Sequence, residues 1–310
     1  MKANKECGLY DKFNISRVDG RDAPGGDRHG ADYFVLDTSF DPFALPALIA
    51  YANACRAEYP LLAADLDGKI SALRQVRAEV QIAGSEYITV PGRTLCNGLV
   101  VPEFKVMAYP AAMGEAGVPV SVPDLKPWVN VSYYQAKEAA ERVGLGLLRE
   151  SQAIALIHDI IEQDENWTGG KVGEGRLYGG LHKGSLSGPQ AGNYEPSDPE
   201  ERTWYVLSNG ERIYHWSGNV WQWIFDDLHG DENGIIAEPF KEGDPSITCP
   251  YSPMEKEIGW YPEVGDDWSG YAPVRGGSWS NGAYAGVFPL FNNPPSSAGN
   301  YNVGFRCTRP

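Results

Sequence analysis

Long apolar runs, paired cysteines and basic clusters are all missing from this chain, and each absence removes a class of function. No apolar stretch approaches the ~20 residues a membrane-spanning helix requires, so membrane insertion is not expected. The first residues, MKANKECGLYDKF, lack the apolar core of a secretory signal, which leaves a cytoplasmic or virion-associated location as the expectation. The five cysteines (Cys7, Cys55, Cys96, Cys249, Cys307) are odd in number and scattered. Without a C-x-x-C pair, neither a zinc ribbon nor a thioredoxin-type motif can be drawn. The net charge of −15 argues against nucleic acid as a partner, because a polyanion would be repelled. The five histidines (His29, His158, His182, His215, His229) show no metal-ligand spacing. Neither a Walker loop, a dinucleotide fingerprint, a G-x-S-x-G elbow nor an H-E-x-x-H helix occurs.

What is present is a globular composition rich in turns. Hydrophobic residues make up 42% of the 310, and glycine (36) and proline (23) favour short elements over long helices. The pattern predicts an α+β fold in two parts, a small mainly helical region over 1–84 and a larger domain over 85–310. In the first, Asp41-Pro42 reads as a helix start and Pro60 as an interruption. Leu62, Leu66, Ile70, Leu73, Val76 and Val80 then form one helical stripe. That stripe serves either a helix packed on its own domain or an oligomerisation helix, and a homo-oligomer stays open. In the second, Tyr87–Val90, Leu99–Val101 and Phe104–Ala108 read as short strands. Ser132 and Gln135 form a capping box for a helix that Gly144 closes. A further helix is expected over about 150–163, with Ile154, Ile157, Ile160 and Ile161 facing inward. Asn209-Gly210 marks a hairpin turn between strands near 204–207 and 212–216.

Two stretches carry most of the functional information. One is Gly218-Asn219-Val220-Trp221-Gln222-Trp223. The other is a frame opening with Arg275-Gly276-Gly277-Ser278-Trp279 and closing with Gly304-Phe305-Arg306. Between Arg275 and Arg306 no charged residue occurs, only Gly, Asn, Ser, Pro, aromatic and small apolar side chains. Such mixtures suit adaptable binding surfaces, with rigid aromatic area beside flexible hydrogen-bonding groups. Trp221, Trp223 and Trp279 are large enough to seed a core. Arg275 and Arg306 can clamp carboxylates or carbonyls with their planar forks.

The order GNVWQW, RGGSW, GFR over roughly residues 90–310 resembles the formylglycine-generating-enzyme (sulfatase-modifying factor) family, whose fold is a divergent C-type lectin. That resemblance implies a lectin-like frame built by Gly218, Asn219, Trp221, Trp223, Arg275, Gly276, Gly277, Trp279, Gly304, Phe305 and Arg306. The family's oxidase chemistry uses a copper-binding cysteine pair between RGGSW and GFR. Here that segment holds no cysteine, so soft Cu(I) would lack thiolate ligands there. No cofactor is expected. A structural calcium at Asp226-Asp227 or Asp266-Asp267 stands beside the alternative that these pairs are solvated charge. Around residues 14–75 the chain is also similar to small phage-encoded proteins with a "YFVLD…DP" stretch, which implies no activity.

The chain also resembles the variable proteins of diversity-generating retroelements, which display a C-terminal variable region on this fold. In those systems error-prone copying at template adenines converts Asn codons to Ser, Tyr, Pro, Phe, Ala or Gly, but never to Lys, Glu, Gln, Met or Trp. Between Ser278 and Asn302 there is no Lys, Glu, Gln or Met, and Trp279 alone represents Trp. The resemblance implies a non-enzymatic binder whose variable region spans about 275–306. Ser278, Ser280, Tyr284, Pro289, Phe291, Ala298, Gly299 and Tyr301 are then exposed, diversified contact positions, with Tyr284, Phe291 and Tyr301 as aromatic anchors. Ser278 and Ser280 would flank an inward Trp279 on a strand. The expected partner is a variable protein or cell-surface ligand. An oxidase of the formylglycine-generating type and a fixed structural phage component are the alternatives.

Overall fold

The computed structural model describes residues 14–251, 256–293, 297 and 299–309. The chain forms two compact units, one ending at Val76 and one beginning at Arg77. In the first, helix α1 (Ala44–Cys55) is followed by the start of α2 (Pro60–Ala83). The helix expected to start at Pro42 begins two residues later, at Ala44. The Asp41 carboxylate accepts the Phe43 N–H at 2.8 Å, a local turn that delays the first helical residue. Leu45, Ala52 and Ile70 are buried with Leu48, Ile49, Leu66 and Leu73 around them, so part of the apolar stripe of α2 packs against α1. Leu62, Val76 and Val80, on the same stripe, are exposed.

The second unit opens with β1 (Tyr87–Val90), β2 (Arg93–Thr94), β3 (Val100–Val101), β4 (Phe104–Met107), β5 (Ala112–Met113) and β6 (Pro119–Val120). Helix α3 (Tyr133–Glu141), β7 (Gly146–Leu147) and helix α4 (Glu150–Ile161) follow. Then come β8 (Trp204–Val206), β9 (Arg212–Tyr214), β10 (Trp221–Trp223), β11 (Ala272–Arg275), β12 (Leu290–Asn293), β13 (Val303–Phe305) and β14 (Cys307–Arg309). The Ser132 hydroxyl accepts the Gln135 N–H while the Gln135 side chain accepts the Ser132 N–H, a complete capping box on α3. Helix α4 buries Ile154, Ile157, Ile160 and Ile161 in the main core, beside Trp167, Tyr205, Trp216 and Phe288. β8 and β9 pair across the Asn209-Gly210 turn.

Two four-stranded sheets organise the domain. One runs β1-β4-β14-β7 and is antiparallel throughout. The other runs β12-β11-β10-β13, with β10 and β13 parallel. The GNVWQW stretch therefore supplies a central strand flanked by the strands that end in RGG and GFR, so motifs distant in sequence become neighbours. Between the named elements the chain is mostly irregular. No helix among the described residues is long and apolar enough to cross a membrane.

Candidate functional site

The site is built on two buried arginines. Arg275, the last residue of β11, donates from Nε and Nη2 to the two carboxylate oxygens of Glu150 at 2.8 and 2.5 Å. It also donates to the Phe288 carbonyl at 2.6 Å, and the Ser246 hydroxyl donates to Glu150 at 2.6 Å. Neither charged side chain reaches solvent. A buried pair of this kind needs such complete pairing to offset the loss of hydration. Arg306 has no carboxylate partner among the described residues. It donates to the Gln222 side-chain oxygen (2.8 Å) and the carbonyls of Met107 (2.5 Å) and Tyr214 (2.7 Å). Burial away from water pulls its pKa down to about 9. The Gln222 amide in turn donates to the His215 and Trp216 carbonyls. Each arginine thus joins segments far apart in sequence.

After Arg275 the chain leaves the sheet through Gly276 and Gly277, both left-handed at φ +96° and +83°. A Cβ on Gly276 would lie 2.4 Å from the Trp216 carbonyl oxygen, and one on Gly277 2.4 Å from the Ala285 Cβ. The Gly276 carbonyl accepts the Gly218 N–H at 2.9 Å, and the Asn219 carbonyl accepts the Trp279 N–H at 3.2 Å, so the two motifs are bonded to each other. The Asn219 side chain binds both backbone groups of Gln190. Trp223, Gly304 and Phe305 are buried as well.

On this frame the segment after Gly277 carries an open aromatic face. A short helical turn, Gly282–Tyr284, raises Tyr284, which is 57% exposed. On β12, Leu290 points inward and Phe291 is 44% exposed, the alternation a strand imposes. Tyr284 and Phe291 border a cleft of about 320 Å³ shared with Trp221, Trp260, Asn281, Asn300 and Asn302. Trp260 stacks on Trp268 (centroids 5.8 Å, planes 20° apart) and meets Phe291 edge-on at 5.6 Å. Trp221 supports Phe291 from the other side at 6.0 Å. Tyr301, 62% exposed, rests against Trp279 at 5.8 Å. Apolar walls with convergent amides are the chemistry of a small binding site.

Not every residue expected on this face lies there. Ser278 is fully buried: its hydroxyl donates to the Asn281 side-chain oxygen, and its oxygen accepts from the Asn302 amide. Residues 278–280 form a turn instead of a strand, because β11 already ends at Arg275, so the expected alternation does not arise. Trp279 is buried and Ser280 exposed. Pro289 is buried against Gly259, leaving no space for a Cβ on that glycine (2.7 Å). Gly299 is exposed, yet a Cβ there would lie 2.3 Å from the Asn130 carbonyl carbon, so a side chain requires backbone movement. Ala298 lies outside the described residues.

Sequence reasoning missed Glu150, the buried partner of Arg275, and Trp260, a wall of the cleft. It also assigned Trp221 to the frame alone, whereas its exposed edge lines the cleft. Nothing in the linear pattern separates a cleft tryptophan from a core one.

The acidic pairs have partners within the protein. Asp226 is buried and accepts the Leu228 and His229 N–H groups, while Asp227 accepts the Ser151 N–H and hydroxyl. Asp266 accepts the Glu263 N–H and Asp267 the Ser269 N–H and hydroxyl. Among the described residues no three His, Cys, Asp or Glu side chains gather as a metal-ligand set. No cysteine lines the cleft. Cys307 is buried, which raises its thiol pKa, and burial pushes Cys249 up to about 11.

The buried arginine frame and the intertwined GNVWQW, RGGSW and GFR segments define a lectin-like α+β domain. The family model for the sulfatase-modifying factor enzyme 1-like domain matches residues 107–310, and the chain belongs to that family. Among solved structures it is similar to Treponema denticola variable protein 1 (13% identity, 73% of this chain and 94% of that one, TM-score 0.37). It is also similar to the Major Tropism Determinant U1 variant (13% identity, 66% of this chain, TM-score 0.35), of which it spans 50%. PvdO from Pseudomonas aeruginosa is a third (16% identity, 73% and 94% coverage, TM-score 0.34). No curated protein matches the chain in sequence.

Proposed function

We propose that this protein is a non-enzymatic binder that displays a diversified C-terminal surface, in the manner of a retroelement variable protein. The observation that carries the reading is the contrast within residues 275–306. The segment is anchored by two wholly buried arginines, yet it presents Tyr284, Phe291 and Tyr301 to solvent around an aromatic cleft. Trp279 apart, the residues between Ser278 and Asn302 include none that adenine-directed copying of Asn codons excludes, which supports the reading. The exposed positions proposed to vary are Ser280, Tyr284, Phe291 and Tyr301. The occupant is a protein or cell-surface ligand, held by aromatic anchors and adaptable amides. An association with phage fits this reading through the likeness of residues 14–75 to phage-encoded proteins.

The oxidase alternative of the family requires a reactive cysteine pair in the cleft region, and the segment between Trp279 and Gly304 contains no cysteine. Deep sequencing of codons 270–310 across a natural population, with the flanking genome, tests the proposal. Adenine-derived substitutions at Ser280, Tyr284, Phe291 and Tyr301, beside a near-copy template and a reverse transcriptase gene, are expected. A uniform segment with no template nearby would overturn the reading and leave a fixed binding or structural surface.

A further inference from the structure

A second cavity, of about 580 Å³, lies away from the variable segment, on the outer face of the β8–β9 hairpin. Tyr205 and Ile213 point from this hairpin into the core, so the alternating residues Trp204, Arg212 and Tyr214 face outward. Trp204 and Tyr214 are cross-strand partners. Tyr214 stacks on Tyr109 with centroids 4.6 Å apart.

The two arginines at this cavity are committed differently. Arg202 lies between Tyr178 (3.8 Å) and Trp204 (3.9 Å). Its N–H groups are taken by the carbonyls of Trp204 and Glu165 and the Asn166 side chain, at 3.0, 2.9 and 3.0 Å. It therefore locks the aromatic wall in place. Arg212 covers the other face of Trp204 at 4.0 Å, but among the described residues its fork meets only Glu165, at 3.8 Å, beyond hydrogen-bonding distance. A stacked guanidinium with free edge donors is preorganised for a planar carboxylate. Tyr194 and the polar Asn193, Glu195 and Thr203 complete the lining.

From this arrangement we infer a second binding site, formed outside residues 275–306, for a carboxylate-bearing sugar of the uronic acid type. Arg212, held in place by its stack on Trp204, takes the carboxylate, the lining rings of Tyr194 and Tyr214 take the apolar face of the pyranose ring, and the polar lining takes hydroxyls. The volume falls in the range of small-ligand sites and accommodates more than one ring. The site is independent of the variable cleft, so its occupancy does not change with diversification.

Isothermal titration of the full chain with digalacturonate, methyl glucoside and benzoate tests this. Digalacturonate is expected to bind at least about tenfold more tightly than either of the others. Arg212→Gln weakens it by about tenfold or more, Arg212→Lys by less, because charge is kept and the planar fork is lost. Phe291→Ala, in the other cleft, leaves it unchanged. Absent binding, equal binding of the neutral sugar or of benzoate, or an unchanged affinity in Arg212→Gln would each overturn the assignment. The thermal midpoint of each variant separates a lost contact from a lost fold, and the half-exposed Arg212 leaves the hairpin core intact.

Discussion

The stretch from Arg275 to Arg306 holds two kinds of residue side by side, and they obey opposite rules. Its ends are buried, charged and tied to distant segments: Arg275 to Glu150, Arg306 to Gln222 and to the Met107 and Tyr214 carbonyls. Between them the segment is uncharged, and among its buried residues Tyr284, Phe291 and Tyr301 reach solvent, Phe291 and Tyr301 resting on ring contacts. In the frame a side chain is irreplaceable because its partners are buried polar groups that no water can satisfy. On the exposed side, much of each aromatic ring meets solvent instead. Buried pairing and exposed aromatic area coexist in one segment because they lie on different residues.

Four experiments would break or sharpen that contrast. The largest effect is expected for Glu150→Ala, which leaves Arg275 buried and unpaired and costs about 3–5 kcal/mol, read by urea denaturation. A loss below 1 kcal/mol would mean the pair is not a foundation of the frame. Gly277→Ala follows, at about 1–3 kcal/mol, because the new methyl meets Ala285 and the backbone is left-handed there.

A third test uses pH. Burial alone would lower the His229 pKa, but Asp226 and Asp244 on its two ring nitrogens (3.5 and 3.2 Å) outweigh it and raise it to about 9. A folded value above the unfolded 6.5 means this contribution is fully present below pH 6.5 and is lost as pH rises through about 9. Denaturation midpoints should fall across that window, and the fall should shrink in His229→Asn. The smallest stability effect, within ~0.5 kcal/mol, belongs to Tyr284→Ala on the face. Its thermal midpoint should match that of the parent, and a large drop would place Tyr284 in the frame.

Much of the frame was legible in the chain. The RGG and GNV glycines, the tryptophans and the two arginines announced close packing, and the capping box at Ser132 and the Asn209-Gly210 turn depend on adjacent residues alone. The face was legible only in part. Tyr284, Phe291, Tyr301 and Ser280 are exposed, as the resemblance to variable proteins implied, whereas Ser278 and Pro289 are buried by residues that no local pattern connects to them.

By itself the sequence determined several local elements, among them the capped helix α3 and the β8–β9 hairpin, and the uncharged composition of the C-terminal segment, since these follow from spacing, propensity and charge. Tertiary structure decided the rest: that Glu150 answers Arg275 across 125 positions, that Trp260 and Trp221 wall the cleft, and that Gly299 has no room for a side chain. Burial and pairing are properties of approach between distant segments. In a domain with so little regular structure, that approach is set by the packed whole and not by any stretch of it.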